Sequence, residues 1–433
     1  MIATLIFSCF LILILTGIPI AFSMILTGIL FVLFFGGGLA TLSIPFTRLS
    51  SGFSFALLAI FFYILLGEVM NETKTADSLI GFLRRLIGKI FKVGASGVIM
   101  ILACTFTGLL TGSAVGTASS IGRIMFPQMK KLNYNPKYVT VLLSYSAILG
   151  TLIPPSIGGL LYAVTVNSSV LTTWITVGGV GILYALALLI GNYVASKKMN
   201  YEPYDFSKKP SVSLVKSFIL TLPAILIPVG ILGSIYGGIA TPTEAGIIGT
   251  LVTIILGVFY YKTITSIKQI FQAFYKSACQ TAVIMFLICA SFSLNYALIS
   301  TGAVKSMTRS VLLITDNKYI LLLMLELVIL FLGCFMDGSP VIILLAPIAA
   351  AILIPLGINT YHLAAIFIFT CILGMVTPPV GIVLYTASAI TGVPVANIFR
   401  DIWAFFLPTL VTLLIITFFP AIVLFLPKIL GLI

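Results

Sequence analysis

The chain has 433 residues, of which 60% are hydrophobic and 8% charged, with a mean hydropathy of +1.25. A soluble domain carries about 25% charged residues, and no water-soluble fold hides this much apolar surface, so a polytopic membrane protein is the class that remains. The net charge of +13 does not read as a nucleic-acid-binding face, because the basic residues are scattered through short segments between apolar runs.

A helix crossing a bilayer needs about 20 mostly apolar residues. Such runs occur at 2–35, 51–70, 138–166, 171–195, 216–236, 241–261, 276–300, 362–390 and 402–427. They are rich in Leu, Ile, Phe and Gly and lack the alternation of a membrane barrel, so the expected fold is all-α. Met1 opens onto an apolar stretch with no basic n-region or clear cleavage site, so 2–35 is read as mature structure, two short spans turning near Gly17-Ile-Pro19. Cys9, Cys104, Cys279, Cys289, Cys334 and Cys371 stand singly in apolar runs and read as small buried hydrophobes.

Lys and Arg accumulate in cytoplasmic loops. They cluster here at 71–93, 123–137, 196–216 and 262–276, and all four segments are placed in the cytoplasm. The first two clusters flank the apolar segment 94–126, which must then enter the membrane and return as a re-entrant hairpin. Its middle is rich in Gly, Ser and Thr, material for a turn buried in protein, with the tip at Thr111-Gly112-Ser113. An internal repeat supports this. Residues 132–155 align without gaps to 356–379, bringing Ile148-Leu149-Gly150 onto Ile372-Leu373-Gly374 and Pro154-Pro155 onto Pro378-Pro379. With a two-residue shift Gly112-Ser113 falls on Gly338-Ser339. The expected organisation is two repeats, 1–195 and 217–433, joined by a cytoplasmic linker at 196–216. Counting spans from the linker opens the second hairpin, 319–356, to the outside, so the repeats have inverted topology. Arg48, Lys305, Arg309, Lys318 and Lys428 are the basic residues left outside.

Unwound backbone at the membrane midplane offers carbonyls to cations, and half-helix N-termini face anions. The first repeat offers the tip 111–113 and the break Gly150 to Gly159; the second offers Asp337-Gly338-Ser339-Pro340 and Gly374 to Gly381. Paired prolines remove two N–H groups and free carbonyls a turn earlier. Two pseudo-symmetric cation sites are therefore expected, one from Gly112, Ser113, Thr117, Gly150, Ile153, Pro154 and Ser156, the other from Asp337, Gly338, Ser339, Gly374, Thr377 and Pro378. Asp337 is the key residue, an ionisable group at membrane depth, read as a cation ligand against the alternative of a helix cap. The hydroxyls can equally back-bond within their helices. Thr111, Ser113, Ser291, Ser293, Asn295, Ser339 and Pro379 are candidate substrate contacts, with interhelical hydrogen bonding the alternative for 291–295. Glu244 reads as the end of a capping box begun by Thr241. His362 is the only histidine, and apart from Asp337 the midplane offers no base, nucleophile or metal cluster, so an enzyme is not expected.

The motifs LLTGSAVGTASSIG, LGTLIPPSIGGLLY, YGGIATPTEAG, FMDGSPVIILLAPI and LGMVTPPVGIVLY together resemble the large membrane subunit of the tripartite ATP-independent periplasmic (TRAP) transporters, over essentially the whole chain. The resemblance implies an elevator mechanism in the bacterial inner membrane, driven by sodium ions and using no other cofactor. It also implies a small membrane subunit of four helices as a separate chain, and a periplasmic binding protein that delivers an organic acid. Sialic acid is the leading substrate, because Ser291, Ser293 and Asn295 add polar groups; four-carbon dicarboxylates and keto acids are the alternative. A proton-coupled carrier through Asp337 and a channel are the competing readings; a channel would need a continuous polar or charged lining, and the occluded hairpins argue against it.

Overall fold

A computed structural model describes residues 2–35, 55–73, 75–91, 93–199, 201, 214–303, 306, 308–309, 313, 315, 317 and 318–433. Most of the expected linker, together with Arg48 and Lys305, lies outside these residues. The described residues are mostly helical and contain no strand.

The chain starts with α1 (Ile2–Leu15) and α2 (Ile20–Phe35), separated by a turn in which Gly17 takes a positive φ of 89°. Then come α3 (Phe55–Glu72) and α4 (Thr75–Ile90). The first hairpin is α5 (Ala95–Thr111) and α6 (Ala114–Lys131), followed by α7 (Pro136–Leu149), a break, α8 (Ile157–Val166) and the long α9 (Val170–Lys198). The second half runs through α10 (Leu214–Tyr236), α11 (Pro242–Ile255) and α12 (Ile267–Ser300). Its hairpin is α13 (Lys318–Phe335) and α14 (Gly338–Leu353), its broken helix α15 (Thr360–Gly374) and α16 (Ile382–Thr391), and α17 (Phe399–Phe418) precedes two short turns of helix. Among the described residues seven helices are long and apolar enough to cross a membrane.

Two elements differ from the sequence reading. Residues 75–90 form a helix, α4, where only a basic loop was expected; its apolar residues recur on one face and its charges on the other, so hydropathy averaged along the chain hides it. Helix α12 begins at Ile267 rather than near 276, because Ser266 and Gln269 form a capping box that starts it earlier.

The packing is pseudo-symmetric. Within each half the first hairpin arm lies on the first segment of the broken helix, α5 on α7 and α13 on α15. Between halves the contacts are exchanged: α6 packs on α16 and α14 on α8, while α2 packs on α12 and α11 on α3. Glycines set the intimacy of the first pairs. A Cβ on Gly150 would lie 2.4 Å from Gly108 Cα, and one on Gly374 would lie 2.7 Å from Gly333 Cα, so backbone meets backbone in both halves. A buried polar clasp fixes the start of the first hairpin. Asn192 of α9 donates from Nδ2 to Gly94 O (3.1 Å) and accepts from the Tyr138 hydroxyl at Oδ1 (2.6 Å).

Candidate functional site

The first hairpin turns where expected. Gly112 takes φ 62°, a left-handed conformation that ordinary side chains resist, and its N–H donates to Gly108 O at 2.7 Å. Ser113 then caps α6, its Oγ accepting from Gly116 N at 3.1 Å. Thr111 is buried, and its hydroxyl lies 3.2 Å from that of Thr117. Thr117 is thereby committed to bracing the tip and does not line the cavity described below.

The break after α7 keeps its hydroxyls busy locally. Thr151 Oγ1 donates to Ile148 O (2.7 Å). Ser156 caps α8 by accepting from Gly159 N (3.2 Å), donates to Thr151 O (2.5 Å), and its carbonyl accepts from Trp174 Nε1 (2.8 Å). Ile153 and Pro154 press on Gly181 and Gly178 of α9, so these two residues could offer a ligand only backbone oxygens.

In the second half Asp337 caps α14, its Oδ2 accepting from Ser339 N at 3.2 Å, and its side chain is exposed. Both of the roles weighed for it in the sequence are thus geometrically available, since a capping carboxylate keeps lone pairs for a cation. Gly338 is buried and its carbonyl accepts a weak bond from Cys371 Sγ (3.5 Å). After Gly374, Thr377 Oγ1 donates to Leu373 O (2.7 Å), and Gly381 N reaches Cys334 O (2.9 Å). That last bond ties the break to its own hairpin. The Pro154–Pro155 and Pro378–Pro379 bonds are both cis, and Pro379 is exposed.

The two tips meet across one cavity of about 170 Å³. Thr111, Gly112 and Ser113 line one side and Asp337, Gly338 and Ser339 the other; Thr151 and Gly158 enter from the first break and Met375 from the second. Asp337 is the only charged side chain in this lining. The starts of α6 and α14 are at the cavity, so their N–H groups and dipoles favour an anion while the carboxylate, hydroxyls and carbonyls suit a hard cation.

The α12 residues expected at the substrate are elsewhere. Ser291 is buried and back-bonds to Ile288 O (2.7 Å); Ser293 is fully buried against Gly28 of α2. Asn295 is half-buried and outside the cavity lining. The α12 residues that reach the cavity are Gln280 and Ile284. Ser291 shares their stripe, since seven residues are about two turns, but stands about 10 Å further along the axis. Gln280 was hidden because it precedes the apolar core of its run. Glu244 closes the capping box with Thr241, its Oε2 accepting from Thr241 N at 2.8 Å. A second carboxyl at membrane depth went unnoticed in the sequence: Glu326 of α13, 5% exposed.

A membrane domain that places hydroxyls, a carboxylate and apolar side chains around a cavity between two hairpin tips and two interrupted helices has the architecture of a solute transporter. The chain belongs to the family described as "Tripartite ATP-independent periplasmic transporter, DctM component", whose model matches residues 7–422. It is 31% identical over 380 residues to the C4-dicarboxylate TRAP transporter large permease of Pseudomonas aeruginosa, covering 87% of each chain. It is 27% identical over 415 residues to the sialic acid TRAP transporter large permease of Vibrio cholerae, covering 95% of each. The 2,3-diketo-L-gulonate TRAP large permease of Escherichia coli is 27% identical, with 93% of this chain and 94% of that protein covered. In fold the chain is similar to the crystal structure of the Alcanivorax borkumensis YdaH transporter, with a TM-score of 0.64 at 14% identity over 89% of this chain and 90% of that one. The chain is thus a multi-pass TRAP large permease for organic-acid uptake, from a family that works with a small membrane subunit and a periplasmic binding protein.

Proposed function

We propose that the chain, in the bacterial inner membrane, performs sodium-coupled uptake of a monoanionic, hydroxylated organic acid, with sialic acid the leading candidate. The observation that carries this reading is the cavity itself, in which two helix N-termini and several hydroxyls converge with one carboxylate and no cationic side chain. A single substrate carboxylate would be met by the Ser113 and Ser339 hydroxyls and the N–H groups at the tips. Sodium would sit beside Asp337 and the backbone oxygens of Gly338, Gly374, Thr377 and Pro378, and in the first half beside Gly112, Gly150, Ile153 and Pro154. A second carboxylate on the substrate would have no partner here, which favours a sugar acid over a dicarboxylate. Gln280, whose amide both donates and accepts, replaces Ser291, Ser293 and Asn295 as the polar contact from α12. The similarity to a dicarboxylate permease at 31% identity supports the second reading, a four-carbon dicarboxylate.

The mechanism proposed is an elevator. The hairpins and broken helices, α5–α8 and α13–α16, would move as one unit against a scaffold that includes α2, α3, α11 and α12, with the hairpins entering from opposite faces of the membrane. A four-helix small subunit and a periplasmic binding protein would complete the assembly. Reconstitution with both partners, radiolabelled acids and sodium replaced by choline at fixed pH tests the reading. Saturable uptake of a sugar acid that disappears in choline is expected; undiminished uptake in choline refutes sodium coupling, and preferred uptake of a dicarboxylate refutes the substrate class.

A further inference from the structure

Glu326 lies at the middle of α13, on the same buried stripe as Leu322, Ile329 and Gly333. Spacings of three and four residues put this stripe on the face that packs against α15. A carboxyl group in such a position is costly unless it is neutral or paired. Among the described residues no ion pair reaches it. Its hydrogen-bond partner among the described residues is Thr417 of α17, whose Oγ1 lies 2.5 Å from Glu326 Oε1. The same Thr417 Oγ1 lies 2.8 Å from Leu413 O, one helical turn back.

Counting protons decides how these three oxygens are joined. The threonine hydroxyl has one hydrogen, and a backbone carbonyl can only accept. Both Thr417 and Glu326 are buried, away from bulk solvent. If Thr417 donates to Leu413 O, as buried helical threonines do, the proton between Thr417 and Glu326 must belong to the carboxyl. We propose that Glu326 is a proton-binding site within the hairpin unit: a neutral carboxylic acid that donates to Thr417 Oγ1, which donates in turn to Leu413 O, and so latches α13 to α17.

The other ionisable groups on the elements packed against α13 leave this chain of bonds undisturbed. On α15 these are Tyr361, His362 and Cys371; His362 Nε2 is 2.8 Å from Ile416 O, so that nitrogen carries a hydrogen and is already engaged. Helix α14 has only Asp337 at its cap, and α17 has Arg400 and Asp401 at its far end. On α13 itself Lys318 is about 12 Å away along the axis and Tyr319 about 10 Å, its ring against Phe418 of α17, while Cys334 lies about 12 Å the other way. Removing the proton leaves a charge in the membrane interior whose partner hydroxyl must abandon Leu413 to serve it, and the cost of burying that charge destabilises the packed α13–α17 contact. The inference holds whichever cation drives uptake.

Infrared difference spectroscopy of the complex with its partner subunit, during an H₂O-to-D₂O exchange, tests the protonation directly. A protonated-carboxyl C=O band is expected at neutral pH, absent in Glu326→Gln and shifted in Thr417→Val. Uptake measured against pH tests the latch. Glu326→Gln, an uncharged isostere whose amide can donate to Thr417, should retain uptake and lose the several-fold alkaline decline expected of the parent chain. Absence of the band in the parent chain, or a pH profile of Glu326→Gln that superimposes on the parent's, overturns the proposal. Should Glu326→Gln fail to fold, the band and its shift in Thr417→Val still decide the matter.

Discussion

Alanine at Gly150 perturbs the site without touching the cavity. Gly150 has φ −63° and ψ −27°, a conformation open to any residue, so the cost of Gly150→Ala is purely steric. The new Cβ would stand 2.4 Å from Gly108 Cα, 2.8 Å from Cys104 O and 2.9 Å from Gly108 C. All three are backbone atoms, which cannot swing aside as a side chain does. Restoring an ordinary contact of about 3.4 Å requires α5 and α7 to part by about 1 Å, an overpacking change that costs about 1–3 kcal/mol. The first hairpin tip and the first break would separate by a similar distance, so the sodium proposed to sit between them would lose affinity. Gly233→Ala is the control, because nothing lies within 4 Å of the Cβ it would add and alanine favours a helix interior by about 1 kcal/mol. The assays are thermal unfolding of the purified protein across a sodium titration and the sodium concentration for half-maximal uptake. Gly150→Ala should lower the unfolding temperature and raise the half-saturating sodium concentration, and Gly233→Ala should do neither. Equal behaviour of the two variants would refute the claim that contact between these backbones shapes the site.

Gly374→Ala, whose Cβ would lie 2.7 Å from Gly333 Cα and 3.0 Å from Leu330 O, should reproduce the effect in the second half with a similar penalty of about 1–3 kcal/mol; the same sodium titration reads it. Asp337→Asn keeps a capping oxygen for Ser339 N and removes the charge, so the fold should survive while sodium-dependent uptake falls by about tenfold or more, the worth of about 1.4 kcal/mol. Gln280→Arg places a guanidinium in a cavity lining that has no cation. Competition among radiolabelled acids should then move toward dicarboxylates, because an arginine fork pairs with a second carboxylate.

The tips and breaks were legible because each is spelled twice. Gly112-Ser113 and Gly338-Ser339, and the two Pro-Pro pairs, gain meaning from their alignment, although only Gly112 of the two glycines takes a left-handed conformation while Gly338 opens α14. The glycines that bring backbones together were half legible. Gly150 and Gly374 aligned, but their partners Gly108 and Gly333 differ in register by one residue from the shift that matches the tips. Helical phase explains the α12 residues. Distinguishing Gln280 from Ser291 requires knowing where along a 34-residue helix the hairpins cross it, which no local pattern encodes. Glu326 was missed because one carboxylate inside a run of leucines looks like a surface residue of a span until Thr417, 91 residues later, is known to face it. Helix α4 was missed because amphipathic helices average to a polar loop.

The exchanged contacts between halves carry a historical implication. In each repeat the returning hairpin arm rests on its own repeat's broken helix and, on another side, on the other repeat's, so a lone ancestral copy would have left one side of that arm uncovered. Two copies packed with the same exchanged contacts would have covered each other there, so the present interior has the form of a subunit interface. Fusion of such a pair preserves the fit while releasing each copy to diverge, which is how one tip could acquire an aspartate while its counterpart kept a threonine and a serine.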